Sequence, residues 1–276
     1  MINATGNRMT QEITRQSRMA SNIAAKQAQV STGKRLQRAS DDPVATVRLA
    51  NLKRAQANDA ARASNINLGI SMTAQADGQM RTMSDLLART KELTIAGASA
   101  SLSPADRISI AAEIGVMADE IDLMALAKSP TGQPLFATGS ALAIRFDDDT
   151  IFAPVPTRAE VFETGGTPIS QIMRDAATAI SAGNTAQINA GLTAVDGVID
   201  HAADVTATIG LNAARLDRLQ ESQALRAISL SEERSTMEDS DLSSAIAELN
   251  GMTLTLEAAQ AAFARINRRT LMDFLG

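Results

Sequence analysis

The sequence predicts a mainly α protein, a long antiparallel helical bundle or coiled coil formed by the N- and C-terminal halves, with a small β-rich insert in the middle. Three observations support this. Aromatic residues make up only 2% of the 276 residues, against 45% for all hydrophobic residues. Because aromatic side chains usually supply much of a compact core, their scarcity favours thin helical seams packed by aliphatic side chains. The other two are heptad repeats at both ends and a central cluster of proline and phenylalanine.

The N-terminal segment carries a seven-residue repeat with a half-polar seam. The repeating positions are Met9, Gln16, Ile23 and Val30, with Ile13, Ala20 and Gln27 interleaved four residues after the first three. A stripe with this spacing lies along one side of a helix and needs a partner helix to cover it. The sequence therefore predicts a helix that pairs with another part of the chain.

Two further helices are predicted to start at prolines. Asp42 precedes Pro43, and Ser103 precedes Pro104. Proline is favoured at the first helical position, and Asp and Ser are favoured as the capping residue before it. We expect one long helix from Pro43 to the region before Pro104, and another from Pro104 toward Ala127.

The β-rich insert is predicted between Pro130 and Pro168. This stretch holds five of the seven prolines and four of the six phenylalanines. Within it, residues 141–146 and 150–152 are typical of two strands of a hairpin, joined by the acidic turn Asp147–Asp149. Clustered carboxylates can bind a divalent cation, but a solvated turn is the favoured interpretation.

Helical character returns at Ile169 and includes a long stretch over about 186–231. A cleaner seam follows, in which Leu242, Leu249, Leu256 and Phe263 repeat at seven and Ala245, Met252, Ala259 and Ile266 follow each by three. This seam keeps its phase across Asn250-Gly251, so we expect a continuous helix there. Each terminal stripe lacks a partner in its own half of the chain, which predicts antiparallel pairing of the two halves.

Composition argues against several classes of function. The chain has no cysteine and a single histidine, His201, which makes thiolate or histidine metal sites and a Ser-His-Asp triad improbable. Acidic and basic residues are interspersed at a net charge of −5, and there is no run of about 18 apolar residues. We therefore expect no enzyme activity, cofactor, metal, nucleic-acid partner or membrane span. The twelve methionines are interpreted as core filling.

Three motifs carry a resemblance to a known family. The block Ser31–Thr46 (STGKRLQRASDDPVAT) closely resembles the first helix break of flagellins and flagellar hook-associated proteins. The segments 237–245 (MEDSDLSSA) and 208–219 (TIGLNAARLDRL) are similar to that superfamily's second break and its long C-terminal helix. The chain is therefore identified as a member of the flagellin superfamily.

Two details resemble the hook–filament junction proteins (FlgL type) more than filament flagellins. They are Ser40-Asp-Asp-Pro43 and the ending Leu271-Met-Asp-Phe-Leu275. A structural subunit joining hook to filament is thus the favoured expectation. The alternatives are a minor flagellin that forms the filament itself and, less favoured, a flagellin-like cell-surface binding protein.

The resemblance implies a mechanism and a set of partners. The subunit is expected to be exported unfolded to the extracellular flagellum and to fold there through its paired termini. Expected partners are adjacent copies in a ring, the hook-side junction adaptor, flagellin, and an export chaperone at the C-terminal region. The implied parts are a terminal coiled-coil layer (1–42 with 236–276), a long-helix bundle (43–128 with 169–235) and the outward insert (129–168).

The resemblance also implies which residues form the assembly interface. They are the residues of the first break, of the second break, of the C-terminal seam and of the C-terminal ending: Ser31, Gly33, Arg35, Asp41, Asp42 and Pro43; Asp239 and Asp241; Leu242, Leu249, Leu256 and Phe263; Leu271, Phe274 and Leu275.

Overall fold

The computed structural model describes the backbone of residues 2–275 and the side chains of residues 9–265. Long helices account for most of the backbone. The helices are α1 (Ile2–Thr32), α2 (Pro43–Gly97), α3 (Pro104–Met124), α4 (Arg158–Phe162), α5 (Ile169–Ala182), α6 (Thr185–Glu238) and α7 (Leu242–Leu275). The strands form two antiparallel pairs, β1 (Ile144–Arg145) with β2 (Ile151–Phe152), and β3 (Glu163–Thr164) with β4 (Thr167–Pro168). The predicted mainly α fold is confirmed.

The helix starts lie where the sequence predicts them. The Asp42 carboxylate accepts the N–H of Ala45 at 2.9 Å and so caps the first turn of α2. At α3, the Ser103 hydroxyl oxygen accepts the N–H of Asp106 at 3.2 Å, while the Asp106 carboxylate accepts the N–H of Ser103. These contacts satisfy N–H groups that have no partner inside the helix.

The chain divides into two compact units. The terminal unit comprises Met1–Ala57 and Ala227–Gly276. In it, α1 packs against α7, and Lys26 pairs with Glu248 at 2.5 Å while Gln29 donates to the Ser240 hydroxyl at 2.7 Å. Because later residues of α1 meet earlier residues of α7, the two helices are antiparallel, as predicted. Helix α7 runs unbroken through Asn250-Gly251, which confirms the continuous helix.

The seam of α1 differs from the predicted one at the interleaved positions and at its first repeating position, Met9, which is 45% exposed. Gln16, Ile23 and Val30 are at least partly buried, as expected. Between these positions, however, Met19 and Lys26 are the partly buried residues, whereas Ala20 and Gln27 are exposed. The prediction of the interleaved residues was wrong because they were placed four residues after each repeating position. In the structure the covered residue comes three residues after it, as in the steps 16, 19, 23, 26 and 30.

The central unit, Asn58–Arg226, has its own core. Helix α3 packs against α5, and aliphatic and methionine side chains fill the space between the helices. The buried methionines are Met72, Met80, Met83, Met117, Met124 and Met173. The burial of these six confirms the core-filling interpretation for them, since unbranched methionine adapts to irregular gaps that aromatic residues would otherwise fill. Met9, by contrast, is 45% exposed.

The predicted hairpin is present as β1–β2, with Ile144 opposite Phe152. Phe146 follows β1 and is buried in a small cluster with Ile66 of α2 and Leu216 of α6. A Cβ placed on Gly69 would lie 2.9 Å from the Phe146 ring, so the glycine makes room for the phenylalanine.

The acidic turn is exposed at Asp148 and Asp149, as a solvated turn should be, whereas Asp147 is held by arginines. Asp147 accepts two hydrogen bonds from Arg226 of α6, at 3.2 and 3.1 Å, and pairs with Arg62 of α2 at 3.2 Å. Bidentate pairs of this kind fix geometry as well as charge. Arg226 is the main reason that the pKa of Asp147 lies below its usual value.

The sequence did not predict α4 or the β3–β4 hairpin. Thr157 and Glu160 form a capping box at α4, and Gly165 and Gly166 have positive φ in the turn. Both signals, a Thr-x-x-Glu and a Gly-Gly pair, were present in the sequence. Phe162 packs edge to face on Phe136 at 5.0 Å in the core of the central unit.

Within the described residues, no helix is both long and apolar enough to cross a lipid bilayer. Nor do three carboxylate or histidine side chains of that part of the chain lie close enough together to hold a metal ion.

Candidate assembly interface

The first helix break begins at Gly33. Its φ of +68° lies in the left-handed region that glycine favours, and its N–H donates to the Gln29 carbonyl at 3.0 Å, which closes the last turn of α1. The chain then turns at Asp41, whose carboxylate accepts the N–H of Arg38 at 2.8 Å. Asp42 and Pro43 start α2 immediately afterwards.

The second break separates α6 from α7. The Asp241 carboxylate accepts the N–H groups of Ser243 at 3.0 Å and Ser244 at 3.2 Å, so Asp241 caps α7. Asp239, the other candidate, instead accepts the Ser235 hydroxyl of the preceding helix. The two aspartates thus serve different helices.

The two breaks are joined by backbone hydrogen bonds, in a feature that we name the break clasp (residues 33–35 and 238–240). Lys34 and Asp239 form an antiparallel bridge. The Arg35 N–H donates to the Glu238 carbonyl at 2.8 Å, and the Ser240 N–H donates to the Gly33 carbonyl at 2.9 Å. Residues far apart in sequence therefore form a miniature strand pair where the helices stop.

A buried carboxylate reinforces the break clasp. Glu238 is only 7% exposed and pairs with Lys34 and, at 2.7 Å, with Arg234. Hydrogen bonds from Lys34, and then from Arg234, lower the pKa of Glu238 to about 2. Sequence reasoning missed this group, although the i,i+4 spacing of Arg234 and Glu238 on a helix was an available signal.

The predicted interface residues fall into three groups. Six lie in the two breaks, and Pro43 is the first residue of α2. The six are Gly33, Arg35, Asp41, Asp42, Asp239 and Asp241. Ser31 is exposed on the last turn of α1, and Leu242 is 45% exposed at the start of α7. The seam residues Leu249, Leu256 and Phe263 are partly buried on α7, while the side chains of Leu271, Phe274 and Leu275 lie outside the described residues.

An open groove of about 640 Å³ lies beside the break clasp in the terminal unit. We name it the α1 groove and define it by Ala24, Ala25 and Ala28 of α1, Arg35 and Arg38 of the first break, and Met252 of α7. Its α1 side combines these alanines with polar side chains, and its loop side combines the two guanidinium groups with an amide and a carboxylate. These further lining residues are Ser21, Asn22, Lys26 and Gln29 of α1, and Gln37 and Asp41 of the loop. The groove lacks the aromatic lining of most small-molecule pockets.

The terminal unit also exposes large apolar side chains. They lie on α1, at the start of α2, near the end of α6 and on α7: Met9, Ile13, Val44, Val47, Ile228, Leu242, Ile246 and Leu254. Exposed apolar residues that recur on adjacent helices mark surfaces that other proteins cover. The chemistry that this arrangement supports is therefore packing against other helices.

Family comparisons agree with this geometry. Residues 3–140 match the family model for the bacterial flagellin N-terminal helical region, and residues 192–275 match that for the C-terminal helical region. The flagellar filament 30.7 kDa core protein of Treponema maltophilum is 23% identical over 248 residues, which cover 86% of each chain.

Two solved structures share the fold. One is described as a flagellar hook-associated protein of Vibrio parahaemolyticus, with a TM-score of 0.65 and 21% identity over 72% of this chain and 100% of that one. The other is FlgL of Xanthomonas campestris, with a TM-score of 0.58 and 14% identity over 67% of this chain and 99% of that one.

The residues that the family models match include the paired terminal helices and the long helices on either side of the insert. Flagellin-family proteins are structural subunits that associate with one another in the flagellum, an extracellular appendage. This chain belongs to the bacterial flagellin family.

Proposed function

We propose that this chain is the adaptor subunit that joins the flagellar hook to the filament. The observation that carries the proposal is the likeness in fold to two hook-associated proteins, each covered over almost its whole length. The junction-type segments Ser40–Pro43 and Leu271–Leu275 add support from the sequence. In this role the subunit contacts the hook-side adaptor on one side and flagellin on the other.

The proposal includes export of an unfolded chain that folds on assembly. The terminal unit depends on long-range pairing of α1 with α7, because neither helix has a covered apolar face without the other. In proteins, most of the stability of a helix comes from tertiary packing of its apolar face. The terminal layer (1–42 with 236–276), the long-helix bundle (43–128 with 169–235) and the insert (129–168) are the proposed working parts, with an export chaperone holding the C-terminal region beforehand.

A minor flagellin is the second candidate. It is favoured by one observation, which is that the Treponema maltophilum relative, a filament core protein, matches 86% of this chain. A filament subunit must add to its own kind without limit, whereas an adaptor stops after a short assembly. The two candidates therefore differ in whether purified subunits elongate.

The deciding experiment is deletion of the gene, followed by electron microscopy of the cells and an assay of flagellin in the medium. Intact hooks without filaments, with flagellin shed into the medium, are expected for the adaptor. Near-normal filaments contradict that role and favour a redundant flagellin. Complementation with the intact gene restores filaments if the phenotype belongs to this chain.

A further inference from the structure

The α1 groove has a counterpart on the opposite face of α7. We name this the α7 ridge and define it by Ile246, Asn250, Leu254 and Glu257, which lie within about 80° of one another around a helix of 100° per residue. Ile246 is 45% exposed and Leu254 is 68% exposed. We propose that the α7 ridge of one copy of this chain packs into the α1 groove of a second copy.

The two surfaces match in length and shape. The α1 side of the groove extends from Ser21 to Gln29, and Ile246 and Leu254 are likewise eight residues apart. At a rise of about 1.5 Å per residue, both spans are about 12 Å. Large side chains projecting from one helix fit over the alanine surface of another, as ridges fit into grooves in helix packing.

The two surfaces also match in charge. Residues 1–57 contain ten Lys and Arg against three Asp and Glu, whereas residues 227–276 contain four against eight. In the described part of the chain, the guanidinium of Arg38 and the carboxylate of Glu257 have no ion-pair partner. Arg35 donates to the Met237 carbonyl at 3.2 Å and keeps its charge unpaired. Asp41 also lines the groove, where its carboxylate accepts the N–H groups of Gln37 and Arg38. The groove therefore carries a net positive charge, and Glu257 is the one charged residue of the ridge.

The ridge cannot fill the groove of its own chain. Within one chain α7 already presents Ala245, Leu249 and Leu256 to α1, so its ridge points away from that helix. The contact must therefore be heterologous, with the groove of one copy holding the ridge of the next. Such head-to-tail contacts generate rings when the rotation closes. The inference rests on the proposed function and specifies the contact between adjacent copies.

Cysteine cross-linking tests the contact directly because the chain has no cysteine of its own. One copy carries Ala25→Cys and another carries Leu254→Cys, and both are expressed in the deletion strain. Isolated flagella are oxidised and analysed on a non-reducing gel. A disulfide-linked dimer is expected from flagella that contain both variants and not from flagella that contain either variant alone, because the proposed contact joins position 25 of one copy to position 254 of another. Absence of the dimer from flagella that contain both variants overturns the proposal.

Two controls establish specificity. Replacing Ala25→Cys by Ala60→Cys, which alters an exposed helical alanine of the central unit, is expected to remove the dimer. A photo-reactive group attached to Ala25→Cys in isolated flagella then identifies by mass spectrometry what lies in the groove. A peptide from α7 supports the proposal, whereas a peptide from any other protein overturns it.

A charge swap supplies an independent test. Arg38→Glu or Glu257→Arg alone should lower the yield of cross-linked dimer about fivefold, as expected for loss of one ion pair, and the double variant should restore it. If neither single variant changes the yield, the proposed register is wrong.

The adaptor role and the contact between copies can fail independently. If gene deletion removes filaments but no cross-link forms, the adaptor role stands and the contact is overturned. If filaments are normal after gene deletion, the adaptor role is contradicted. The cross-linking experiment then still tests the contact between copies.

Discussion

The backbone N–H of Arg35 donates to the carbonyl of Glu238 at 2.8 Å. The Arg35 side chain also donates to the carbonyl of Met237, which lies 202 positions away in the sequence. The two ends of the chain are thus joined at the point where their helices stop. The buried Glu238 carboxylate pairs with both Lys34 and Arg234. Removing its charge would therefore leave two cations at the break clasp without their partner.

Glu238→Gln is expected to destabilise the terminal unit and to change its pH dependence. A pKa lowered from 4.5 to about 2 means that the carboxylate stabilises the fold above pH 4.5 and that this contribution is lost as the pH falls toward 2. Such a shift corresponds to about 3 kcal/mol at most, and partial exposure of Lys34 reduces the expected loss to about 1–2 kcal/mol. Urea unfolding followed by circular dichroism between pH 2 and 7 measures it.

The matched control is Glu232→Gln, which alters an exposed carboxylate on the same helix. It should leave both the free energy of unfolding and its pH dependence close to those of the parent protein. Hydrogen exchange at the Arg35 and Ser240 amides locates the effect, and unchanged protection of both amides in Glu238→Gln contradicts the role assigned to the carboxylate.

Two glycines of α2 should respond in opposite directions to substitution by alanine. Gly69→Ala places a Cβ 2.9 Å from the buried Phe146 ring and 3.0 Å from Leu216, and is expected to cost about 1–3 kcal/mol. Gly78→Ala meets nothing within 4 Å and should stabilise the helix by about 0.5–1 kcal/mol. Thermal unfolding compares the two variants, and equal shifts in Tm contradict the packing argument.

Asp147→Asn should loosen the β1–β2 hairpin from α2 and α6. The substitution removes the charge that holds Arg226 and Arg62, and because Asp147 is 30% exposed the expected cost is about 1 kcal/mol. Its pKa is lowered, chiefly by Arg226, so the stabilisation is present above the ordinary value and is lost as the pH falls below it.

Hydrogen exchange at the Phe146 amide, which donates to the Thr150 carbonyl at 2.9 Å, follows the hairpin. Faster exchange is expected in Asp147→Asn. Asp149→Asn is the control, because Asp149 lies in the same turn with no ion pair among the described side chains. Equal exchange rates in the two variants would show that the arginine pairs do not hold the hairpin.

Asp42→Ala removes the cap of α2 and is expected to cost about 1 kcal/mol, whereas Asp42→Ser keeps an oxygen for the Ala45 N–H and should cost much less. Urea unfolding of the two variants provides the comparison. Similar losses for both would assign the effect to the charge of Asp42 and not to its hydrogen bond.

Local signals predicted much of the fold. Pro43 and Pro104 located helix starts because proline and its capping residue act within one turn, and the phase of the C-terminal seam located α7. The seam of α1 was harder, because Gln16 and Lys26 are polar and their position depends on the partner helix. Helix α7 covers α1, so the pattern of α1 alone does not determine which of its residues face inward.

The ionic contacts of the candidate site could not be predicted in the same way. Lys34 and Glu238 are separated by 204 positions, and Arg62 and Arg226 meet Asp147 only after α2, α6 and the hairpin come together. No local pattern specifies such partners. The sequence did identify the two breaks, because Gly33, Asp42 and Asp241 act on their immediate neighbours.

The methionine-rich core of the central unit has a chemical consequence. Buried thioethers such as those of Met80, Met83 and Met173 are shielded from aqueous oxidants, whereas an unfolded chain exposes them all. Conversion to the sulfoxide makes a methionine side chain polar and disrupts the packing that it supported. Peroxide encountered before folding would therefore oxidise these positions, and the sulfoxides would weaken the packing of the central unit until they were reduced again.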